Sequence, residues 1–197
     1  MRLVIFDIDD TAWGLNNKIC SMFGIDINSI ESFYIKNNSK LSEYQKEQLL
    51  SKYSDPEIFN NIEWYDGFTE IFDLEQLDCE VLINSNCNSQ DIKNAKHYEL
   101  VDKLGFDDDK IILNVIDDPK NKTMHSDVFI LVDDSPFNLA KSTAIYNIAL
   151  RKPWNTSEQG AETIGDKKVI FCDTFRDVLS TVTKILNGVG NYNEYKN

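Results

Sequence analysis

The sequence predicts an α/β fold: a doubly wound parallel sheet with helices on both faces and a small helical cap inserted after the first strand. Three observations predict it. Six short runs rich in Val and Ile are near-continuous in apolar character rather than alternating, the pattern of strands buried on both faces. Helical segments separate most of them, and strand and helix in alternation build a parallel sheet. One stretch, from about Ala12 to Glu63, breaks that rhythm with no convincing strand and two helix starts.

In chain order, the first strand covers Leu3–Phe6 and ends in the acidic stretch Asp7-Ile8-Asp9-Asp10-Thr11. Within the insertion, Ser42-x-x-Gln45 is a capping box, and Asp55-Pro56 places an N-cap before a first-turn proline. Because ligands in such sheets bind beyond the carboxyl ends of the strands, an insertion directly after the first strand would roof the site. A helix over Phe68–Leu77 then leads to the strand Val81–Ile83, and a second over Ser89–Leu104 leads to Ile111–Val115. Val128–Val132 is the next strand, followed by a helix over Pro136–Ser142 and by strands at Ile145–Leu150 and Val169–Phe171. The last helix, Phe175–Leu186, carries apolar residues at 175, 178, 179, 182, 185 and 186 and stops at Asn187-Gly188. The expected division is a core of residues 1–11 and 64–187, a cap of residues 12–63, and a disordered polar tail of residues 188–197.

Composition narrows the function. With 197 residues, 42% hydrophobic and 27% charged, the chain is long enough to bury a core without disulfides or a structural metal. Its formal net charge of −13 repels phosphate polymers and anionic membranes, so neither a nucleic-acid polymer nor a membrane is an expected partner. Cys20, Cys79, Cys87 and Cys172 show no C-x-x-C spacing and sit mostly in apolar runs, as reduced thiols in the cytoplasm do; zinc is not indicated. The N-terminal apolar run is too short for a signal peptide or a membrane span. His97 and His125 have no partner at metal spacing.

The chemistry lies in two acidic pairs. Asp7 and Asp9 leave the first strand two residues apart, and Asp133-Asp134 follow the buried run Val128–Val132. Four carboxylates delivered to one sheet edge repel one another unless a cation lies between them, and an oxygen-only ligand set suits Mg²⁺.

Taken in order, four pieces of the chain resemble the motifs of the haloacid-dehalogenase-like phosphatase superfamily: Asp7-x-Asp9-x-Thr11; Val81-Leu82-Ile83-Asn84-Ser85-Asn86; Lys122; and Asp133-Asp134. Within it, Asp55-Pro56-Glu57-Ile58-Phe59, Trp64-Tyr65-Asp66-Gly67, Lys122-Thr123, Leu131 to Pro136 and Pro153-Trp154-Asn155 resemble the 5′(3′)-deoxyribonucleotidases. Asp10 stands where that family usually has Gly, and Lys120 competes with Lys122 for the third motif.

The resemblance implies a Mg²⁺-dependent phosphomonoesterase whose substrate is a small nucleotide. It assigns Asp7 as the nucleophile that becomes an aspartyl-phosphate, and Asp9 as general acid and then base, with its backbone carbonyl on the metal. Asp134 is the direct metal ligand and Asp133 holds a metal-bound water, although the sequence leaves the order of these two open. Lys122 clamps the phosphate, Ser85 and the Asn86 N–H bind its oxygens, and Thr11 braces the loop. Aromatic residues of the cap and its flanks, Trp13, Tyr44, Phe59 and Trp64, with Phe33, Tyr34 and Tyr65 nearby, are candidates to face a nucleobase. The alternatives are a polynucleotide 3′-phosphatase, a sugar-phosphate phosphatase, and a non-catalytic nucleotide-binding module.

Overall fold

The computed structural model describes residues 1–116, 127–156, 163–190 and 192–197. Among these residues seven strands, β1 (Arg2–Phe6), β2 (Cys79–Cys87), β3 (Ile111–Val115), β4 (Val128–Val132), β5 (Tyr146–Leu150), β6 (Thr163–Ile164) and β7 (Lys167–Cys172), form one sheet in the order β3-β2-β1-β4-β5-β7-β6. All neighbours run parallel except β6 and β7. The six apolar runs are the six parallel strands; β6, with two residues, is too short to leave a periodic signal.

β1 lies between β2 and β4, with Phe6 level with Ile83 on one side and Val132 on the other. The Asp7 N–H still donates to the Val132 carbonyl at 2.9 Å. Asp7 therefore leaves the sheet beside the start of Asp133-Asp134, at the carboxyl edge where ligand-binding crevices form in parallel sheets.

Among the described residues five α-helices accompany the sheet: α1 (Leu15–Met22), α2 (Glu43–Lys52), α3 (Gln90–His97), α4 (Pro136–Lys141) and α5 (Phe175–Leu186). α5 covers the expected residues, started by a capping box between Thr174 and Asp177. The expected box at Ser42 and Gln45 starts α2, and Asp55-Pro56 opens a 3₁₀ turn, Pro56–Phe59. The segment expected as one helix over Ser89–Leu104 is α3 followed by a π-helical stretch, Tyr98–Lys103. Phe68–Leu77 winds as a 3₁₀ helix between left-handed residues Gly67 and Asp78.

Alternation along β1 sends Val4 and Phe6 to one face and Ile5 to the other. Val4 and Phe6 join a large cluster with Val81, Ile83 and Val132, and the insertion contributes Trp13, Ile19, Ile35, Leu49 and Phe59 to that same cluster. Ile5 joins a smaller one with Leu82, Leu131, Val169 and Leu139 of α4. The insertion is thus continuous with the main core.

Its stem is closed by a bridge between Trp13 and Trp64 and by the Tyr65 N–H donating to the Ala12 carbonyl at 2.8 Å. Gly67 then turns the chain with φ +91, and a Cβ there would lie 2.8 Å from Leu179 Cδ1 of α5. Arg176 of α5 fixes the same turn by bonding both Asp66 and Glu70.

At the C-terminus the Asn197 N–H donates to the Ile145 carbonyl at 3.1 Å, and its side chain brackets the Lys168 backbone at 2.7 and 3.1 Å. Tyr192 and Tyr195 pack on the large cluster, and two apolar rings anchor a segment whose composition is otherwise polar. Among the described residues no helix is long and apolar enough to cross a membrane.

Candidate active site

β1 and β4 deliver Asp7, Asp133 and Asp134 to one point. All three are buried, and one carboxylate oxygen from each lies within 4.8 Å of the others. Asp133 Oδ1 accepts from the Ser135 N–H at 2.9 Å, and Asn138 Nδ2 spans both its oxygens at 3.2 and 3.0 Å. Asp134 Oδ2 accepts from the Trp154 indole at 2.8 Å, and its Oδ1 from the Thr11 hydroxyl at 3.4 Å. Burial, with Asp10, Asp133 and Asp7 nearby, pushes the Asp134 carboxyl well above the usual carboxylate range. Three converging buried carboxylates, an oxygen-only set among the described residues, fit a hard divalent cation such as Mg²⁺.

Asp10 has a separate task. Its φ of +58 is left-handed, a conformation Asp tolerates better than most non-glycine residues. From there Oδ1 accepts from the Asn16 N–H at 2.9 Å and Oδ2 from Asn16 Nδ2 at 2.7 Å. The residue at the N-cap of α1 is Gly14, which has no side-chain acceptor, so Asp10 satisfies an open N–H of the first turn in its place. Tyr53 donates its hydroxyl to Asn16 Oδ1, extending the contact to the end of α2. Burial raises the Asp10 carboxyl to about 7, opposed by Lys152 and the Asn16 N–H and assisted by Asp9 and Asp7.

Asp9 is held from two sides. Oδ1 accepts from Trp13 Nε1 at 3.2 Å, and Oδ2 accepts from Lys96 Nζ at 2.6 Å. The same ammonium donates to Ser85 Oγ at 3.0 Å and to the Asn86 carbonyl at 2.7 Å. Lys96 belongs to α3 and is only 2% exposed.

Above these groups lies a cavity of about 260 Å³. Asp7, Asp9, Asp133, Asp134 and Ser85 form its floor, and Phe33, Tyr34, Ile35, Leu50 and Tyr53 of the insertion form its apolar roof. Phe33 and Tyr34 also pack on Phe137 of α4, at 5.9 and 4.6 Å between ring centroids, so the roof rests on the helix that follows Asp134.

The expected base contacts are placed differently. Trp13, Phe59 and Trp64 do not line this cavity: Trp13 packs on Phe59 and Trp64 at 5.3 and 6.4 Å, and Trp64 stacks on Phe68 at 4.6 Å, filling the joint between insertion and core. Tyr44, in the first turn of α2, is 69% exposed. Of the aromatic candidates, Phe33 and Tyr34 line the cavity, joined by Tyr53. Lys122, its competitor Lys120, and His125 lie outside the described residues. His97 Nε2 lies 2.8 Å from Asp108 Oδ1 at the surface, apart from the cavity.

No protein-family model matches the sequence, and no curated protein matches it. Solved structures do resemble the fold. A haloacid dehalogenase-like hydrolase from Streptococcus pneumoniae superposes with a TM-score of 0.55 at 14% identity, covering 92% of this chain and 98% of that one. The chain has the haloacid-dehalogenase-like fold. A family IA hydrolase of the same kind from Entamoeba histolytica gives a TM-score of 0.56 at 15% identity, covering 95% and 100%. A β-phosphoglucomutase from Clostridium difficile gives 0.50 at 14%, covering 95% and 98%.

Neither Lys96 nor Asn138 belongs to a motif, yet each bonds a candidate site residue. For Lys96 a sequence signal exists: it stands at helical spacing between Ile92 and Leu100, a lysine in a row of buried positions.

Proposed function

We propose that the chain is a Mg²⁺-dependent phosphomonoesterase acting on a small nucleotide, a deoxyribonucleoside 5′- or 3′-monophosphate. The observation that carries this reading is the convergence of the Asp7, Asp133 and Asp134 carboxylates under a cavity roofed by aromatic side chains. The named hydrolases of the same fold, and the phosphoglucomutase among them, support a phosphate ester as substrate. The free, buried cysteines suit a reducing compartment such as the cytoplasm.

Asp7 and Asp134 would hold the cation directly, with the Asp9 backbone carbonyl, and Asp133 through a water. When bound, the ion neutralises charge on the phosphate oxygens and between the carboxylates. Asp7 attacks phosphorus: a bond from its carboxylate oxygen forms as the bond to the leaving alkoxide breaks. Asp9 gives that alkoxide a proton and then takes one from the water that hydrolyses the aspartyl-phosphate. In the arrangement observed both Asp9 oxygens accept from donors, which suits the second step; the first requires one of those contacts to open. Ser85 and the Asn86 N–H bind phosphate oxygens, while Lys122 or Lys120 supplies the phosphate clamp.

Tyr34 and Phe33 favour a nucleobase as the remote part of the substrate, because a flat ring needs apolar faces and a bare sugar needs hydrogen-bonding groups. A sugar phosphate is the second reading, favoured by the phosphoglucomutase of like fold. Phosphate release from deoxynucleoside monophosphates, sugar phosphates and a 3′-phosphorylated oligonucleotide, with Mg²⁺ present or chelated, separates these. Release greatest on the mononucleotides and lost on chelation is the expected result. No release from any phosphate ester overturns the enzyme reading.

A further inference from the structure

We propose that Lys96 is a positioning residue that ties the Asp9 carboxylate and the Ser85 hydroxyl into one unit and so sets how both face a bound phosphate. This rests on the phosphatase reading. The ammonium has three N–H groups and three acceptors, Asp9 Oδ2, Ser85 Oγ and the Asn86 carbonyl, at 2.6, 3.0 and 2.7 Å. These acceptors come from the segment after β1 and from the carboxyl-terminal part of β2, so one side chain from α3 links the two motifs that the sequence singles out.

The direction of each bond has a consequence. Because Ser85 Oγ accepts from Lys96, the proton on Ser85 must point elsewhere, and Ser85 borders the cavity. Its hydroxyl is thereby set to donate to an anion there rather than to accept from one. Asp9 is pinned by Lys96 on one oxygen and by Trp13 on the other, which fixes its torsion at the cavity floor.

Packing alone does not call for a lysine here. Lys96 lies in line with Ile92 and Leu100, and its ammonium sits 5.6 Å from the centre of the Phe59 ring. Methionine has similar length and would fill that row without the cost of burying a charge. The ammonium suits the three acceptors, and all three belong to candidate site residues.

The test uses Lys96→Met and Lys96→Gln in the full chain, with inorganic phosphate as inhibitor and with an alkyl phosphate and p-nitrophenyl phosphate as substrates. Lys96→Met is expected to raise the inhibition constant for phosphate about tenfold, the equivalent of one hydrogen bond. It should also change the ratio of the alkyl ester rate to the nitrophenyl ester rate, because only the alkyl ester depends strongly on the proton that Asp9 gives. Lys96→Gln, which keeps a donor, is expected to recover part of both effects. Combining Lys96→Met with Ser85→Ala should raise the phosphate constant little beyond either change alone.

A folded Lys96→Met protein with an unchanged phosphate constant and an unchanged ester ratio overturns the proposal. If that variant does not fold, the same comparisons are made with Lys96→Gln. A wild type that releases no phosphate is the separate failure of the phosphatase reading. The link is then judged by the ¹H–¹⁵N resonance of the Lys96 ammonium: a shift in both Ser85→Ala and Asp9→Asn supports the tie, and no shift in either overturns it.

Discussion

The indole Nε1 of Trp154 lies 2.8 Å from Asp134 Oδ2, so the loop after β5 holds the carboxylate that β4 delivers. The neighbouring Asn155 donates to the Asp134 carbonyl at 3.1 Å, and the Pro153-Trp154-Asn155 turn thereby fixes both main chain and side chain of that residue. Trp154→Phe removes a donor from a buried carboxylate and is expected to destabilise the protein by about 1–3 kcal/mol. Urea denaturation measures this, and a Mg²⁺ titration of the folded variant should show weaker binding. A variant as stable as the wild type would contradict the role assigned to the indole.

Stability should depend on pH in the direction opposite to that of a salt-bridged carboxylate. Burial raises Asp10 from 3.8 to about 7, so the folded metal-free protein keeps a proton that the unfolded chain has already released in that window. Its contribution therefore falls as pH rises from about 4 to about 7, and Asp134, also raised, acts in the same direction. Paired surface acids such as Asp66 and Asp55 are lowered and contribute stability above their unfolded range. Asp10→Asn should gain stability relative to wild type between pH 5 and pH 7 in chelator. Parallel pH profiles for the two proteins would remove Asp10 as the source.

Gly67→Ala should destabilise by about 1–3 kcal/mol, because a φ of +91 disfavours any L side chain and the new Cβ would meet Leu179 Cδ1 at 2.8 Å. Thermal unfolding measures the loss. An unchanged melting temperature would show that the turn between insertion and core yields freely.

Tyr34→Ala should lower kcat/KM for deoxynucleoside monophosphates about 5–150-fold, the equivalent of one stacking contact of ~1–3 kcal/mol. Deoxyribose 5-phosphate, which has no ring to stack, should be affected much less. Trp64→Phe, altering a ring packed on Phe68 away from the cavity, should leave the ratio between the two substrates unchanged. Equal losses on both substrates with Tyr34→Ala would favour the sugar-phosphate reading.

The parallel strands and α5 were legible because buried strands and an amphipathic helix leave patterns in the order of the residues. Asp7 and Asp133-Asp134 were legible for the same reason: each follows a buried run, and parallel strands bring their carboxyl ends to one edge. The choice among cap aromatics was not. Trp13, Phe59 and Trp64 are as apolar as Phe33 and Tyr34, and only the stem geometry decides that the first three fill the joint with the core. The tail's polar composition hides the packing of Tyr192 and Tyr195 on the large cluster. Asp10 shows the reverse limit: a residue that departs from the resembled motif has a local reason, the N–H of Asn16, visible only when the helix start is in place.

The most direct test of the account is the chemical state of Asp7 during turnover. Wild-type protein mixed with Mg²⁺ and a deoxynucleoside monophosphate, quenched in acid within the first turnover and digested, should yield a phosphorylated peptide that contains Asp7. The same experiment on Asp7→Asn should yield neither that peptide nor released phosphate, while the variant remains folded. Phosphate release by Asp7→Asn at a rate near that of the wild type would contradict the assignment of Asp7 as nucleophile.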